Sequence, residues 1–280
     1  MDYVTPREMV SDAIQLARNK ADLSVQDLLI RGVLAGAFLG CATSLAFMAL
    51  SQGLPPLVAA IIFPVGFVML VLLGQELATG NFALLPLGVM SGRVRVGEMV
   101  RNWAWVYLGN LLGSLAYALL FYLSLTSCGT SNGGTFAELF RQAAQKKTLG
   151  YMALGTSGWT TALVKGVLCN WMVTLGAVLA LSSRSTTGKV VSMWLPITTF
   201  FALGYEHSIV NMFVIPTGMM LGAPISIIKW LLWNQTPVTI GNMFSGVACT
   251  ALPFLLTYHP QRRALSTPAL VDPREVGATS

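Results

Sequence analysis

The sequence predicts an all-α membrane protein with six transmembrane helices, of which the second and the fifth are broken. Apolar residues make up 54% of the chain and charged residues only 10%, whereas about a quarter of the residues in soluble domains are charged. No charged residue lies between Arg31 and Glu76 or between Arg101 and Glu138. A hydrocarbon core about 30 Å thick requires about 20 consecutive apolar residues from a spanning helix. These uncharged stretches are long enough to contain spanning helices.

Six apolar segments define a predicted transmembrane domain over residues 28–258. Their approximate bounds are 28–50, 57–91, 99–125, 157–181, 190–222 and 237–258. Residues 1–27 predict an amphipathic helix, because a capping box from Thr5 to Glu8 precedes apolar residues at helical spacing. Residues 259–280 are polar and contain proline and serine, so we expect a flexible tail there.

The distribution of basic residues predicts the orientation. Twelve of the 17 lysines and arginines fall in the N-terminal segment, the second and fourth loops and the tail, which six spans place on one face. Basic loops face the cytoplasm, so we expect both termini on the cytoplasmic side of a bacterial plasma (inner) membrane. This asymmetry explains the net charge of +6, and no nucleic acid partner is expected.

The second and fifth segments contain the same pattern, Gly-x-Glu-x4-Asn-x4-Pro. It begins at Gly74 in the second segment and at Gly204 in the fifth. A Gly-Asn pair follows each one downstream, ending at Asn110 and Asn242. Each half of the chain therefore has three spans with an interruption in the middle one. Because three is odd, the second half is inserted upside down, which predicts an inverted 3+3 repeat with a transport site at the two breaks.

Each break would expose the N-terminal end of a half-helix. Each unpaired N–H or C=O group of unwound backbone in lipid costs several kcal/mol. Such backbone therefore persists only where protein or a water-filled cavity supplies partners. Each exposed N-terminal end carries roughly half a positive elementary charge. Two such ends that approach one another favour an anion, so the expected solute is a small monovalent anion.

Five polar side chains near the breaks are expected to be structural. A carboxylate within a span costs about 3 kcal/mol, so Glu76 and Glu206 should accept hydrogen bonds from the free backbone N–H groups of the half-helices. Asn81 and Asn211 are expected to cap the same ends. Asn170, like the two downstream asparagines, is expected to link helices.

Two further side chains are candidates for the solute pathway. His207 is the only histidine deep in a predicted span, and histidine is the side chain that titrates closest to neutral pH. It either serves the solute or is a buried ring satisfied by a carbonyl group, and we favour the first interpretation. Thr79 lies in the partner break, where its hydroxyl group either reaches His207 or bonds a local carbonyl group.

Lys165 and three phenylalanines complete the candidates. Lys165 lies within the fourth span, where its ammonium group either extends outward to the interface or creates a positive vestibule that concentrates anions. Phe63, Phe67 and Phe200 bracket the two breaks. Such rings are usually core or lipid-facing, but above and below a small polar site they would form hydrophobic gates.

These motifs resemble the formate/nitrite transporter family. The segments that carry the resemblance are 72–80, 166–173, 204–216 and 237–242. The departures from the family pattern are Gln75, Ala78, Thr174 and Gly176. The resemblance implies an aquaporin-like protomer and a homopentamer with one pore per subunit. It also implies that Thr79 and His207 form the polar centre and that the three phenylalanines form the constrictions. Small residues expected to pack between subunits are Gly32, Ala35, Gly36, Gly40, Gly246 and Ala248.

The function implied by this resemblance is a channel for the anions of weak acids in a lipid bilayer, with protons linked to permeation through His207. Formate is the leading solute. Nitrite, hydrosulfide, lactate and acetate stay open, because the breaks contain no arginine to bind a carboxylate bidentately. Two different functions would also use these residues, namely a neutral-solute channel and a membrane enzyme with His207 as base and Glu206 as orienter. The spans contain no second histidine, cysteine pair or aspartate for a metal site or a catalytic triad, so we expect no enzyme, metal or cofactor.

Overall fold

The computed structural model describes residues 2–258, which fold into helices joined by short connections. No β-strand occurs among the described residues, although Tyr3 and Ser183 form an isolated β-bridge. The prediction of an all-helical protein is therefore confirmed for this part of the chain. The predicted tail over 259–280 lies outside the described residues.

The α-helices of the described residues follow one another in this order: α1 Pro6–Ala21, α2 Val25–Ser51, α3 Pro56–Ile62, α4 Val65–Leu72, α5 Ala78–Met90, α6 Val96–Leu125, α7 Gly134–Ala153, α8 Gly155–Leu179, α9 Thr186–Ala202, α10 Ser208–Met220, α11 Ile227–Trp230, α12 Thr236–Ser245 and α13 Leu252–Tyr258. A 3₁₀ turn, Ala180–Ser182, extends α8. Two π-helical segments, Leu231–Gln235 and Gly246–Ala251, join α11, α12 and α13 into one helix.

Four helices are long and apolar enough to cross a membrane, namely α2, α6, α8 with its 3₁₀ turn, and the joined helix Ile227–Tyr258. Three shorter apolar stretches accompany them, Pro56–Leu72, Ala78–Met90 and Ser208–Met220. The chain leaves helical geometry at residues 73–77 and 203–207, here called break 1 and break 2. Gly74 and Gly204 open the two breaks with a φ of +64° each, a conformation that residues with side chains rarely adopt.

Helix α7 corrects the expectation that only a loop joins the third and fourth spans. The sequence of α7 is too polar to be recognised as an apolar span, since it contains Lys146 and Lys147. It packs against α10 directly after break 2, as α1 packs against α5 directly after break 1. Each break is therefore flanked by an amphipathic helix as well as by apolar ones.

The last helix begins at Ile227 and not at residue 237, where the sequence predicted its start. Proline is common at the beginning of a helix, which made Pro237 a plausible first residue. Proline also lacks the N–H group that the carbonyl one turn earlier needs. The π segment Leu231–Gln235 lies directly before Pro237, and this wider turn lets the helix continue through it.

Close backbone packing within the chain explains the small residues of the first and last apolar helices. A Cβ atom on Gly36 would overlap the Asn110 carbonyl group of α6, and one on Gly246 would overlap the backbone of Phe82 in α5. The other glycines of α2 that face α6 are Gly32 and Gly40. The expectation that these glycines pack between subunits is therefore wrong, because their close partners belong to the same chain.

The N-terminal segment is attached to the connection between α8 and α9. The Asp2 carboxylate accepts hydrogen bonds from the Ser183 hydroxyl group at 2.8 Å and from the backbone N–H groups of Arg184 and Ser185, both at 2.7 Å. These bonds, that of Ser183 first, lower the pKa of Asp2 below its ordinary value. The charged form of Asp2 therefore strengthens the attachment, which also includes a backbone hydrogen bond from the Arg184 N–H group to the Asp2 carbonyl group at 3.1 Å.

We expect Gly36→Ala to lower the free energy of unfolding by about 1–3 kcal/mol, because the added methyl group must displace α6. Gly97→Ala is the matched control, since a Cβ atom at Gly97 meets no atom within 4 Å, and this helical position should tolerate alanine. Thermal unfolding in detergent measures both variants. Equal stability of the two variants would contradict the packing described for Gly36.

We expect the hydrogen bonds to the Asp2 carboxylate to be complete at neutral pH and to be weakened as the pH falls through the lowered pKa of Asp2. The attached form binds fewer protons than the detached form, so it is favoured above the ordinary pKa. Hydrogen–deuterium exchange measures the protection factor of the Ser185 amide. Asp2→Ala should lower this protection at neutral pH, and unchanged protection would refute the role of the Asp2 carboxylate.

Candidate functional site

Break 2 and the first turn of α5, which directly follows break 1, meet at a contact between Thr79 and His207. The Thr79 Oγ1 atom lies 3.1 Å from His207 Nε2, and both residues are buried, with 0% and 3% of their surfaces exposed. Thr79 lies in the first turn of α5, and His207 directly precedes α10. The structure thus brings together the two side chains that the sequence singled out for the pathway.

The hydrogen bonds of His207 define which ring nitrogen carries the proton. The Val210 backbone N–H donates to His207 Nδ1 at 3.2 Å, so the ring caps the N-terminus of α10. An acceptor nitrogen carries no proton. The neutral ring therefore has its proton on Nε2, which donates to Thr79 Oγ1. A proton on Nδ1 would displace the bond from Val210.

Glu76 in break 1 is held by side chains. Its Oε1 atom accepts a hydrogen bond from Lys20 Nζ at 2.6 Å, and its Oε2 atom accepts one from Asn81 Nδ2 at 2.7 Å. Asn81 also donates to Asn102 Oδ1 at 2.8 Å, and Asn102 donates to the Lys20 carbonyl group at 3.0 Å. These four residues form a closed set of contacts around a carboxylate that is only 2% exposed.

Glu206 in break 2 binds the same types of side chain, although its lysine and asparagine partners share one carboxylate oxygen. Its Oε2 atom accepts from Lys147 Nζ and from Asn211 Nδ2, both at 2.8 Å. Asn211 donates to Asn234 Oδ1 at 2.9 Å, and Asn234 donates to the Lys147 carbonyl group at 3.0 Å. Tyr151 adds a hydroxyl donor to Oε1 at 2.8 Å, which break 1 does not have.

These contacts correct the predicted roles of the acidic and amide residues. Glu76 and Glu206 do not accept hydrogen bonds from the free N–H groups of α5 and α10, but bind lysine and asparagine side chains instead. Asn81 and Asn211 are not caps, because they lie inside the first turn of α5 and α10 and donate to the carboxylates. The sequence missed the lysines because each lies on an amphipathic helix outside the apolar spans.

The asparagines of the downstream Gly-Asn pairs bridge the two sides of each break. Asn110 accepts from the Ala78 N–H group at 2.9 Å and donates to the carbonyl group of Glu76 at 2.8 Å. Asn242 accepts from the Ser208 N–H group at 3.0 Å and donates to the carbonyl group of Glu206 at 3.1 Å. These two amides therefore each accept a hydrogen bond from one free N–H group at the start of α5 or α10, a role that the sequence assigned to other residues.

Asn170 links the two halves of the site. Its Nδ2 group donates to the Thr79 carbonyl group at 3.1 Å and to the Asn242 carbonyl group at 2.7 Å. It therefore connects α8 to the first turn of α5 and to the joined helix. Its Oδ1 atom is buried without a hydrogen-bond partner among the described residues.

The predicted phenylalanines lie at different distances from the Thr79–His207 contact. The Phe200 ring stacks on the His207 imidazole, with centroids 5.7 Å apart and planes 23° apart. Phe63 packs edge-on against Phe200 at 5.6 Å and has no ring contact with His207. Phe67 lines a separate cavity, described next. The structure thus places one of the three rings directly on His207.

A cavity of about 350 Å³ lies beside break 1. It is called the basic cavity here, because its charged lining residues are Lys20, Arg31, Lys189 and Glu76. Apolar residues, including Phe67 and Leu77, form much of the remaining wall. Leu77 directly precedes α5, whose first turn contains Thr79. The cavity therefore extends close to the Thr79–His207 contact.

Lys165 lies beside break 2, and its carbonyl group accepts the Glu206 N–H group at 3.3 Å. Its ammonium group has no ion pair with any residue from 2 to 258. Arg31 has the equivalent place beside break 1, since its carbonyl group accepts the Glu76 N–H group at 3.4 Å. Among the described residues, no cluster of three histidine, cysteine, aspartate or glutamate side chains could hold a metal ion.

The sequence is similar to known transport proteins over almost all of its length. The family model described as formate/nitrite transporter matches residues 7–256. An uncharacterized transporter, YrhG of Bacillus subtilis, is 31% identical over 272 residues, which are 94% of this chain and 97% of that protein. The formate channel FocA of Haemophilus influenzae is 30% identical over 270 residues, which are 88% and 92% of the two chains.

Two solved structures share the fold. One is an FNT family ion channel, with a TM-score of 0.76 and 29% identity over 89% of this chain and 98% of that one. The other is a pentameric formate channel with formate bound, with a TM-score of 0.67 and 25% identity over 84% and 97%. The helices described above are therefore arranged as in a membrane channel, and the chain belongs to the formate/nitrite transporter family.

Proposed function

We propose that the protein is a transmembrane channel for the small monovalent anions of weak acids, with formate as its main solute. The observation that carries this proposal is the meeting of two half-helix N-termini at the Thr79–His207 contact. Such ends favour negative charge, and the contact supplies hydrogen-bond donors at the same place. The relatives named formate channels support the choice of formate.

The proposed topology has six spans with both termini in the cytoplasm of a bacterial cell. The spans are α2, α3–α5, α6, α8, α9–α10 and the joined helix. The matched lysine, glutamate and asparagine contacts of the two breaks support an inverted repeat, in which α1 and α7 are equivalent helices on opposite faces. Residues 1–27 are then a cytoplasmic segment, and residues 28–258 are an aquaporin-like channel domain. The pentameric formate channel of the same fold supports a homopentamer.

The proposed pathway begins in the basic cavity on the cytoplasmic side. The solute passes Phe67, reaches the contact between Thr79 and His207, and leaves past Phe200, with Phe63 behind that ring. Lys165 on the outer side attracts anions as Arg31 does on the inner side. Apolar rings on both sides of a polar centre remove water from the solute, which is costly for a charged group.

Proton linkage lowers that cost, because a weak acid that gains a proton crosses the apolar constriction as a neutral molecule. In its neutral form, His207 offers the solute an Nε2–H donor. To donate its Nε2 proton to the solute and remain neutral, the ring must take up a proton from water on Nδ1, which gives up the bond from the Val210 N–H group. The ring then carries its proton on Nδ1, and the cap returns when that proton is lost to water and Nε2 is protonated again. We therefore propose that proton transfer to the solute is coupled to a change in the cap of α10.

We expect His207→Asn to assemble but to lose acid-coupled formate transport. An asparagine at this position can cap α10 through its carbonyl group and donate through its amide, but it does not titrate. Formate flux into proteoliposomes, measured as a function of pH, tests this. Nitrite, hydrosulfide, lactate, acetate and glycerol in the same vesicles rank the other solutes.

The result separates the proposed roles of the ring. Retained flux without a pH response would show that the solute needs only a hydrogen bond from this position, and it would refute obligatory protonation of the solute by His207. Glu206→Gln is the control, because we expect it to weaken folding more than selectivity. Wild-type flux and pH dependence in a well-assembled His207→Ala protein would return His207 to a purely structural role.

A further inference from the structure

Two cationic side chains of the basic cavity are not neutralised by a buried acid. Arg31 comes from α2, and its guanidinium group lies 3.8 Å from the carboxylate of Asp27, whose side chain is half exposed. Lys189 comes from the first turn of α9, and its ammonium group has no ion pair or hydrogen bond with the described residues. The third cation, Lys20, is neutralised by Glu76. The charged lining therefore has an excess of two positive charges.

The basic cavity is much larger than the proposed permeant anion. Its volume is about 350 Å³, and one water molecule takes about 30 Å³ of liquid. Formate has three heavy atoms and would fill only a small part of this space. The wall contains leucines from three different elements, Leu16, Leu70 and Leu181, so it suits hydrocarbon as well as charge.

We propose that the basic cavity binds an organic dianion, namely a short carbon chain with a carboxylate at each end. The location of this site at the cytoplasmic mouth of the pathway rests on the proposed function. One carboxylate binds the guanidinium group of Arg31, whose donors match it bidentately. The other binds the Lys189 ammonium group, and the carbon chain lies against the leucines.

A dianion bound in this cavity does not pass the centre. The Thr79 and His207 side chains are in contact at 3.1 Å, and removing water from two charges is far more costly than from one. The bound dianion therefore occupies the cavity and blocks formate from the cytoplasmic side. A positive potential alone would also favour a dicarboxylate over a monocarboxylate, but that attraction would be screened by salt and would not saturate.

The test compares succinate with butyrate, which has the same number of carbons and one carboxylate fewer. Each compound is added to the cytoplasmic face of oriented proteoliposomes at matched ionic strength, and formate flux is measured. We expect saturable inhibition by succinate, at least tenfold weaker inhibition by butyrate, and no inhibition by succinate from the outer face. Equal inhibition by the two compounds, or from both faces, would overturn the proposal.

Variants connect the inhibition to the two cations. Each variant is compared with its own uninhibited flux. Arg31→Gln and Lys189→Gln should each weaken succinate inhibition at least tenfold. Lys229 does not line the cavity, so Lys229→Gln should leave the inhibition unchanged. Unchanged inhibition in the double variant would refute the site.

A binding measurement separates this proposal from the proposed function. Succinate should raise the thermal unfolding temperature of the purified wild-type protein and should have no such effect on the double variant. If the wild-type protein does not transport formate, the proposed function fails, and the unfolding measurement still decides whether the dianion site exists. The absence of any succinate effect on unfolding would refute the dianion site even in an active channel.

Discussion

The buried carboxylates of Glu76 and Glu206 are the constraint on which the arrangement of the two breaks depends. Each carboxylate is 2% exposed, and it binds one lysine and one asparagine donor. Loss of one partner of a buried ion pair costs about 3–5 kcal/mol, because the other charge is left uncompensated. Each pair also joins an amphipathic helix to a break. The pairs therefore hold α1 and α7 in the fold and hold the breaks in place.

This constraint explains how a symmetric scaffold carries an asymmetric site. The contacts of glutamate, lysine and asparagine are the same in both halves, but the side chains next to them differ. Break 2 has His207 where break 1 has Leu77, and α5 has Thr79 where α10 has Ile209. The repeated contacts bring the two helix ends together, and the single histidine and threonine then meet between them.

The sequence predicted the breaks, because glycine, glutamate and proline at fixed spacing are local signals. It left open whether Thr79 reaches His207 or bonds a local carbonyl group, and only the family resemblance implied the pair. It did not predict Lys147 as the partner of Glu206, because α7 is polar and the contact joins distant segments. It assigned Gly36 to a subunit interface, since small residues indicate a close approach without indicating the partner. Its start of the last helix was ten residues late, because a π turn before Pro237 has no clear local signature.

The protonation state of His207 tests the account of the centre most directly. Solid-state ¹⁵N NMR of the protein in bilayers resolves the two ring nitrogens, and His259→Gln leaves one histidine signal from the two in the chain. At neutral pH and without solute, the account predicts an unprotonated Nδ1 and a protonated Nε2. A ring protonated on both nitrogens, or on Nδ1 alone, would contradict it, because neither form can accept a hydrogen bond from the Val210 N–H group.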